Sequence, residues 1–219
     1  MSGPAVAGVE GRLAYTISVP ATWFELDVEP ATRDDSIRRL VETRVRGNEV
    51  MWEQRHAIQK VLADQARAAY ETGATYCASF SIPTDEGPIT GSVTVSLIMD
   101  PAYDEETSIA DFFRSVPRTD DELAPHIDVT TVQIDGVSCA RSSGIEDTPV
   151  GDGGFVRNVS MLTAVPVPDH RRLFLVVCSS PVIVLEEQLL DLFDAVTGTF
   201  RVVRLDADVD KEVRDGSAE

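Results

Sequence analysis

The sequence predicts an α+β fold: a central, mostly antiparallel sheet of about six to seven strands covered by helices on both faces, an α/β/α sandwich. Three observations carry this. Runs with period-two alternation are joined by short turn-forming stretches, which makes hairpins and therefore antiparallel neighbours. Residues 37–69 and 185–200 carry apolar residues at helical spacing instead. The chain has 219 residues, 43% of them hydrophobic, enough for the core of one large domain. No internal repeat or linker divides it. The expected organisation is a flexible N-terminus at 1–11, a single α+β domain at 12–204 and an acidic, disordered tail at 205–219.

The first strand is LAYTISV, in which Leu13, Tyr15, Ile17 and Val19 alternate with smaller or polar residues. Pro20 ends it, and TWFELDV, 22–28, is a second short strand. Asp34, Asp35 and Ser36 then offer N-caps and place negative charge at a helix N-terminus. Ile37, Leu40, Val41 and Val45 form one apolar stripe; Ile58, Val61, Leu62, Gln65 and Ala69 form another. Gly47-Asn48 lies between them and predicts a break, because glycine in a helix interior costs about 1 kcal/mol. Gly73 is the C-terminal stop.

TYCASFSI and ITGSVTVSLIM follow as a hairpin across PTDEGP, 83–88. Tyr76, Ala78, Phe80, Val93, Val95 and Leu97 take one face. Ser79, Ser81, Thr90, Ser92, Thr94 and Ser96 take the other, a hydroxyl face that tolerates solvent or a loosely packed helix. SIADFFRSV, 108–116, reads as a short helix. Asp135-Gly136 is a strong type I′ hairpin signal between HIDVTTVQI and VSCARSSGI. TPVGDGG, 148–154, reads as a loop. FVRNVSMLTAV, 155–165, and RLFLVVC, 172–178, form a further hairpin across PVPDH. Leu185, Leu189, Leu192, Phe193, Val196 and Phe200 mark the closing helix.

The net charge is −18, from 19 basic and 37 acidic residues. Such a surface repels nucleic-acid phosphates and anionic headgroups and suits a protein partner with a basic surface. Residues 100–152 hold 13 acids and three bases, whereas residues 33–71 are nearly balanced. A docking surface on the acidic segment is therefore weighed against a merely solvated face. Arginine outnumbers lysine 17 to 2, a compositional bias that suggests a bacterial source of high GC content. The N-terminus shows no basic and apolar signal pattern, and no apolar run reaches the length of a membrane span, so the expected location is cytoplasmic. Cys77, Cys139 and Cys178 are widely spaced and read as reduced, buried thiols.

The one stretch that invites a catalytic reading is Cys178-Ser179-Ser180-Pro181, between the last long strand and the closing helix. A nucleophile elbow needs glycines around the nucleophile, and none is present. Cys178 is in phase with Phe174 and Val176 on one strand face, Ser180 can cap the helix and Pro181 fits its first position. The stretch is therefore read as a joint between core elements. His56, His126 and His170 have no partners at metal-ligand spacing. Asp206, Asp208 and Asp210 begin like a calcium loop, but Lys211 and Ser217 stand where glycine and a bidentate acid are needed. GDGG, 151–154, lacks a phosphate-binding pattern. No catalytic, metal or cofactor-binding residue is assigned. Trp23, Phe24 and Trp52 are expected in the core.

YTISVPATWFEL, 15–26, and the ending FLVVCSSPVIVLEEQLLDLFDAVTGTFRV, with Phe193-Asp194 and Thr199-Phe200 in its closing helix, resemble the PsbP-like fold. That fold is shared by Ran-binding Mog-type proteins and by small actinobacterial lipoproteins of the LpqN type. No lipoprotein signal is read at the start of this sequence, and a long helix is expected after the opening strand, two departures from those lipoproteins. The resemblance implies a central antiparallel sheet and an accessory or binding role, and it carries no catalytic residues across. The functional expectation is a non-enzymatic protein that docks a protein partner and is linked to a bacterial secretion or envelope system. The alternative is a small-molecule or lipid-binding module with its ligand between the sheet and the long helix. An enzyme with an unrecognised site comes third. The sequence fixes neither the partner nor the oligomeric state.

Overall fold

The computed structural model describes residues 5–9, 13–85, 87–99, 126–150, 154–167 and 172–204. The helix expected at 108–116, the tail at 205–219, most of the acidic segment and His170 lie outside them. The strands are β1 (Ala5–Val9), β2 (Leu13–Ile17), β3 (Phe24–Leu26), β4 (Ala74–Ile82), β5 (Ile89–Met99), β6 (Ile127–Ile134), β7 (Val137–Val150), β8 (Gly154–Pro166), β9 (Arg172–Ser180) and β10 (Arg201–Arg204). The helices are α1 (Arg33–Val45), α2 (Glu49–Glu53), α3 (Arg55–Glu71) and α4 (Glu186–Thr197), the last preceded by a 3-10 turn at Ile183–Leu185.

Seven strands form one sheet in the order β3-β4-β5-β9-β8-β7-β6, and every neighbouring pair is antiparallel. This is the α+β class that the hairpin signals predict. The opening strand does not join that sheet. It pairs with β1 and β10 in a separate three-stranded sheet. Neither β1 nor β10 is announced by the sequence; Ala5–Val9 is small and glycine-containing, in a stretch expected to be loose.

The turn chemistry is realised locally. Asp135 and Gly136 have φ of 52° and 76°, as a type I′ turn demands. Gly47, at φ 87°, ends the first helical segment, and Asn48 restarts the chain by accepting a hydrogen bond from Met51 N on its side-chain oxygen. Two local expectations are corrected. Thr32, not an aspartate, precedes α1, and Asp34 and Asp35 lie inside its first turn. Pro149 and its neighbours are strand rather than loop, because Thr148 to Val150 pair with Val156 to Gly154.

Strand alternation sends side chains to two unlike layers. On one face Val93, Val95, Phe174, Val176 and Cys178 pack under β2 and α4, with Tyr15, Phe193 and Phe200 from above. Tyr15 lies 5.2 Å from Phe174 and 5.4 Å from Phe200, ring centre to ring centre, so three aromatics close this layer. On the other face Cys77 and Ala74 meet Ile37, Val41 and Val45 of α1 and Leu62, Ala66 and Ala69 of α3. Helices therefore cover both faces, as expected. Among the described residues no helix is long and apolar enough to cross a membrane.

Candidate functional site

The second layer is incomplete. Beside the packed stripe of α3, a cleft of about 960 Å³ opens between α2, α3 and the hydroxyl face of the sheet. Its floor follows from register. Ser79 pairs with Ser92, Ser92 with Ser179 and Ser179 with Ser160, so four serines run in a row across β4, β5, β9 and β8. The first three line the cleft, with Ser81 and Thr90 from the next row. Serine is short, so this floor fills little of the space beneath the helices. Asn158 stands at one end, its amide nitrogen 3.1 Å from Thr148 Oγ1 and 3.0 Å from the Val156 carbonyl.

The roof is apolar. Met51, Ile58, Val61 and Leu62 face the cleft. Leu62 is buried, but Met51 is 42% and Val61 65% exposed. The stripe read from the sequence is thus split: Leu62 and Ala69 are buried, whereas Val61 is largely exposed and lines the cleft with Gln65. No Asp, Glu, Lys, Arg or His lines the cleft among the described residues, in a chain of net charge −18. The lining can hold apolar surface on one side and accept or donate neutral hydrogen bonds on the other. Its serines have no basic partner in the lining that would activate a hydroxyl for attack.

The cysteine joint lies elsewhere. Cys178 is fully buried on the closed face, opposite Val93 and Met161 of the flanking strands, with Thr197 Oγ1 3.9 Å from its sulfur. Burial pushes its thiol up to about 12, and the Cys77 and Cys139 thiols up to about 12 and about 11. All three are free and buried. The cap expected of Ser180 is modified by the structure. Its hydroxyl donates to the Thr90 carbonyl at 2.6 Å and accepts from Val182 N, so it serves the 3-10 turn rather than α4.

Arg141 is the buried cation of the closed face. It reaches Thr163 Oγ1 at 3.0 Å and the Asp194 carboxylate, tying α4 to β7 and β8. His56 is exposed on α3 beside Gln59, and His126 is exposed before β6. Trp23 is core, 4.7 Å from the Phe80 ring. Trp52 is not: it is 44% exposed on α2, with the Arg55 guanidinium 4.6 Å from its ring centre. No group of three or more potential metal ligands occurs among the described residues.

These features define an α+β sheet protein with an uncharged cleft under its long helix. In chain course it is similar to the crystal structure of LpqN, described as involved in cell envelope biogenesis, from Mycobacterium tuberculosis. That match has 11% identity and a TM-score of 0.48, and it covers 92% of this chain and 90% of that one. It is the type of protein named by the sequence resemblance, and a match at this identity says nothing of shared site chemistry. No protein-family model matches the chain, and no curated protein does.

Proposed function

We propose that the chain is a non-catalytic accessory protein that carries a small, uncharged, amphipathic molecule or lipid in the cleft between α3 and the sheet. The observation that carries this reading is the lining itself: about 960 Å³ bounded by mainly aliphatic side chains with Asn48 and Gln65 above and by hydroxyls and Asn158 below, without an ionisable group among the described residues, in a strongly acidic protein. A charged ligand would lose its hydration there with no counter-charge to replace it. An apolar tail would cover Met51, Ile58 and Val61, gaining about 25 cal/mol for each Å² removed from water. The bacterial secretion or envelope setting is what the sequence resemblance implies for such a role.

The test is native mass spectrometry of the full chain, first as purified and then with three probes of equal chain length: 1-monooctanoylglycerol, octanoate and octyltrimethylammonium. The neutral probe is expected to bind at least tenfold more tightly than either ion. Equal binding of the ions, or no binding above that of an equally acidic control protein, overturns the reading.

A further inference from the structure

The longest hairpin leaves the sheet. β6 begins at Ile127 opposite Gly144, and β9 ends at Ser180 opposite Val159. Ile145 still bonds the His126 carbonyl through its backbone N–H, at 3.0 Å, and beyond it residues 146–150 and 154–158 pair only with each other among the described residues. Gly144 marks the departure. Its φ is 142°, and a Cβ there would sit 2.0 Å from the His126 carbonyl oxygen. A two-stranded ribbon without a third strand is marginal in water. This one is pinned by side chains: Arg157 holds Asp147 with two bonds of 2.7 and 2.8 Å, and Asn158 bonds Thr148 across the strands.

What the ribbon presents is apolar. Phe155 is 63% exposed and projects to the same side as Arg157, whose guanidinium lies 6.0 Å from its ring centre. The 3-10 turn at Ile183–Leu185 packs beside β8, on the side where α4 lies. It exposes Ile183 by 39% and Val184 by 85%. Glu186 and Glu187 follow at once, and Asp191 is exposed a turn later. Arg157, the cation on the ribbon among the described residues, is already engaged by Asp147. Phe155 and the turn's Ile183 and Val184 are thus exposed apolar residues on the same side of β8, and Glu186, Glu187 and Asp191, which follow the turn, have no ion-pair partner among the described residues.

We propose that the ribbon and the Ile183–Leu185 turn form a docking surface for a basic, apolar segment of a protein partner. Phenylalanine is the kind of anchor that interface centres favour, and the cross-strand bonds of the ribbon support it. The charge selects the occupant. A second copy of this chain would bring another −18 to the surface, and an anionic bilayer would be repelled. A segment with lysine or arginine beside its apolar residues meets both these exposed apolar residues and the acids after the turn. Phe155, Ile183 and Val184 lie on the α4 side of the sheet and do not line the cleft, which the ribbon reaches only through Asn158 on its other face, so the two proposals stand separately.

The experiment places a benzophenone amino acid at position 155 or 184 of the full chain, in cells of its own source, with the exposed Thr43 position on α1 as control. Irradiation at both test positions is expected to capture the same protein, through a peptide that is net basic and contains apolar residues. Phe155→Ser should lower capture from position 184 at least tenfold and leave the thermal midpoint unchanged. Four results overturn the proposal: cross-links to another part of this chain, to a second copy or to lipid; a captured peptide that is acidic or wholly polar; product no greater than from position 43; or capture from position 184 that Phe155→Ser does not change.

Discussion

The two faces of the seven-stranded sheet are built by the same strands and end in opposite conditions. In β9, Phe174, Val176 and Cys178 point to a layer closed by three aromatic rings, and all three are fully buried. One residue along, Val177 and Ser179 point the other way and are only half-buried. Where the cleft opens, the difference is side-chain volume along the serine row of Ser79, Ser92 and Ser179. Valine, phenylalanine and cysteine reach the layer above them and meet it at contact distance, which close-packed interiors require. Serine stops short, and α3 cannot descend onto it because Leu26, Val28 and Cys77 already fix the helix pair at the β3-β4 edge. The space left over is the cleft. Close packing is concentrated on one face and the proposed ligand cleft lies on the other, and substitutions on the two faces should separate accordingly.

The largest effect is expected from Phe174→Ala. The ring is fully buried and touches both Tyr15 and Phe200, and the small sheet that rests on it cannot collapse into the hole. Removing it should cost about 3–5 kcal/mol, read as a fall in the denaturant midpoint. A loss under about 1 kcal/mol would show that the closed face is not the more tightly packed one.

Cys178 is the next test of the same face. Cys178→Ala removes one sulfur from a fully buried site and should cost about 1–2 kcal/mol, below the loss of a whole leucine side chain. Cys178→Ser puts a hydroxyl there, with Thr197 Oγ1 3.9 Å from the present sulfur, and should cost as much or more. The folded thiol is pushed up to about 12, above its unfolded value of about 8.5. The unfolded chain therefore loses its proton first as pH rises. The stability linked to this group is complete below about pH 8.5 and is lost progressively toward about pH 12. Alkaline unfolding should be shallower in Cys178→Ala than in the parent. Thiol reagent should react slowly at neutral pH until the chain unfolds; rapid labelling of folded protein would contradict the closed packing and reopen a nucleophilic role.

Much of this contrast is legible in the sequence. The alternation of Val93 and Val95 against Ser92 and Thr94 gives both faces, and the stripe from Ile58 to Ala69 gives the helix above the hydroxyls. What alternation cannot give is the distance between α3 and the sheet, which is set by contacts remote in sequence at Leu26, Val28 and Cys77. The cleft is a remainder of packing, and remainders have no local pattern. The ribbon is hidden for another reason. Pro149 and the glycines after it carry turn chemistry, yet the pairing that extends the strands is held by Arg157-Asp147 and Asn158-Thr148. Those are cross-strand partners whose register only the fold supplies. Trp52 is misplaced because an aromatic residue beside an apolar stripe reads as core, while the break at Gly47 turns α2 away from it.

The smallest expected change in stability falls on the open face, and it is the one that decides what that face is for. Val61 is 65% exposed in the middle of α3, so Val61→Glu buries nothing new in the empty protein. Glutamate is also the better helix former, by a few tenths of a kcal/mol. The unfolding free energy should therefore stay within about 0.5 kcal/mol of the parent, far less than the change at Phe174→Ala. Binding of the neutral octanoyl probe should nevertheless weaken at least tenfold, because the ligand would bury a carboxylate against its own tail with no cation in the lining to receive it. Val61→Leu keeps the surface apolar and should retain binding. If Val61→Glu binds the neutral probe as well as Val61→Leu does, the roof of the cleft does not touch the ligand. The open face is then a solvated helix surface, and the contrast between the two faces is one of packing alone.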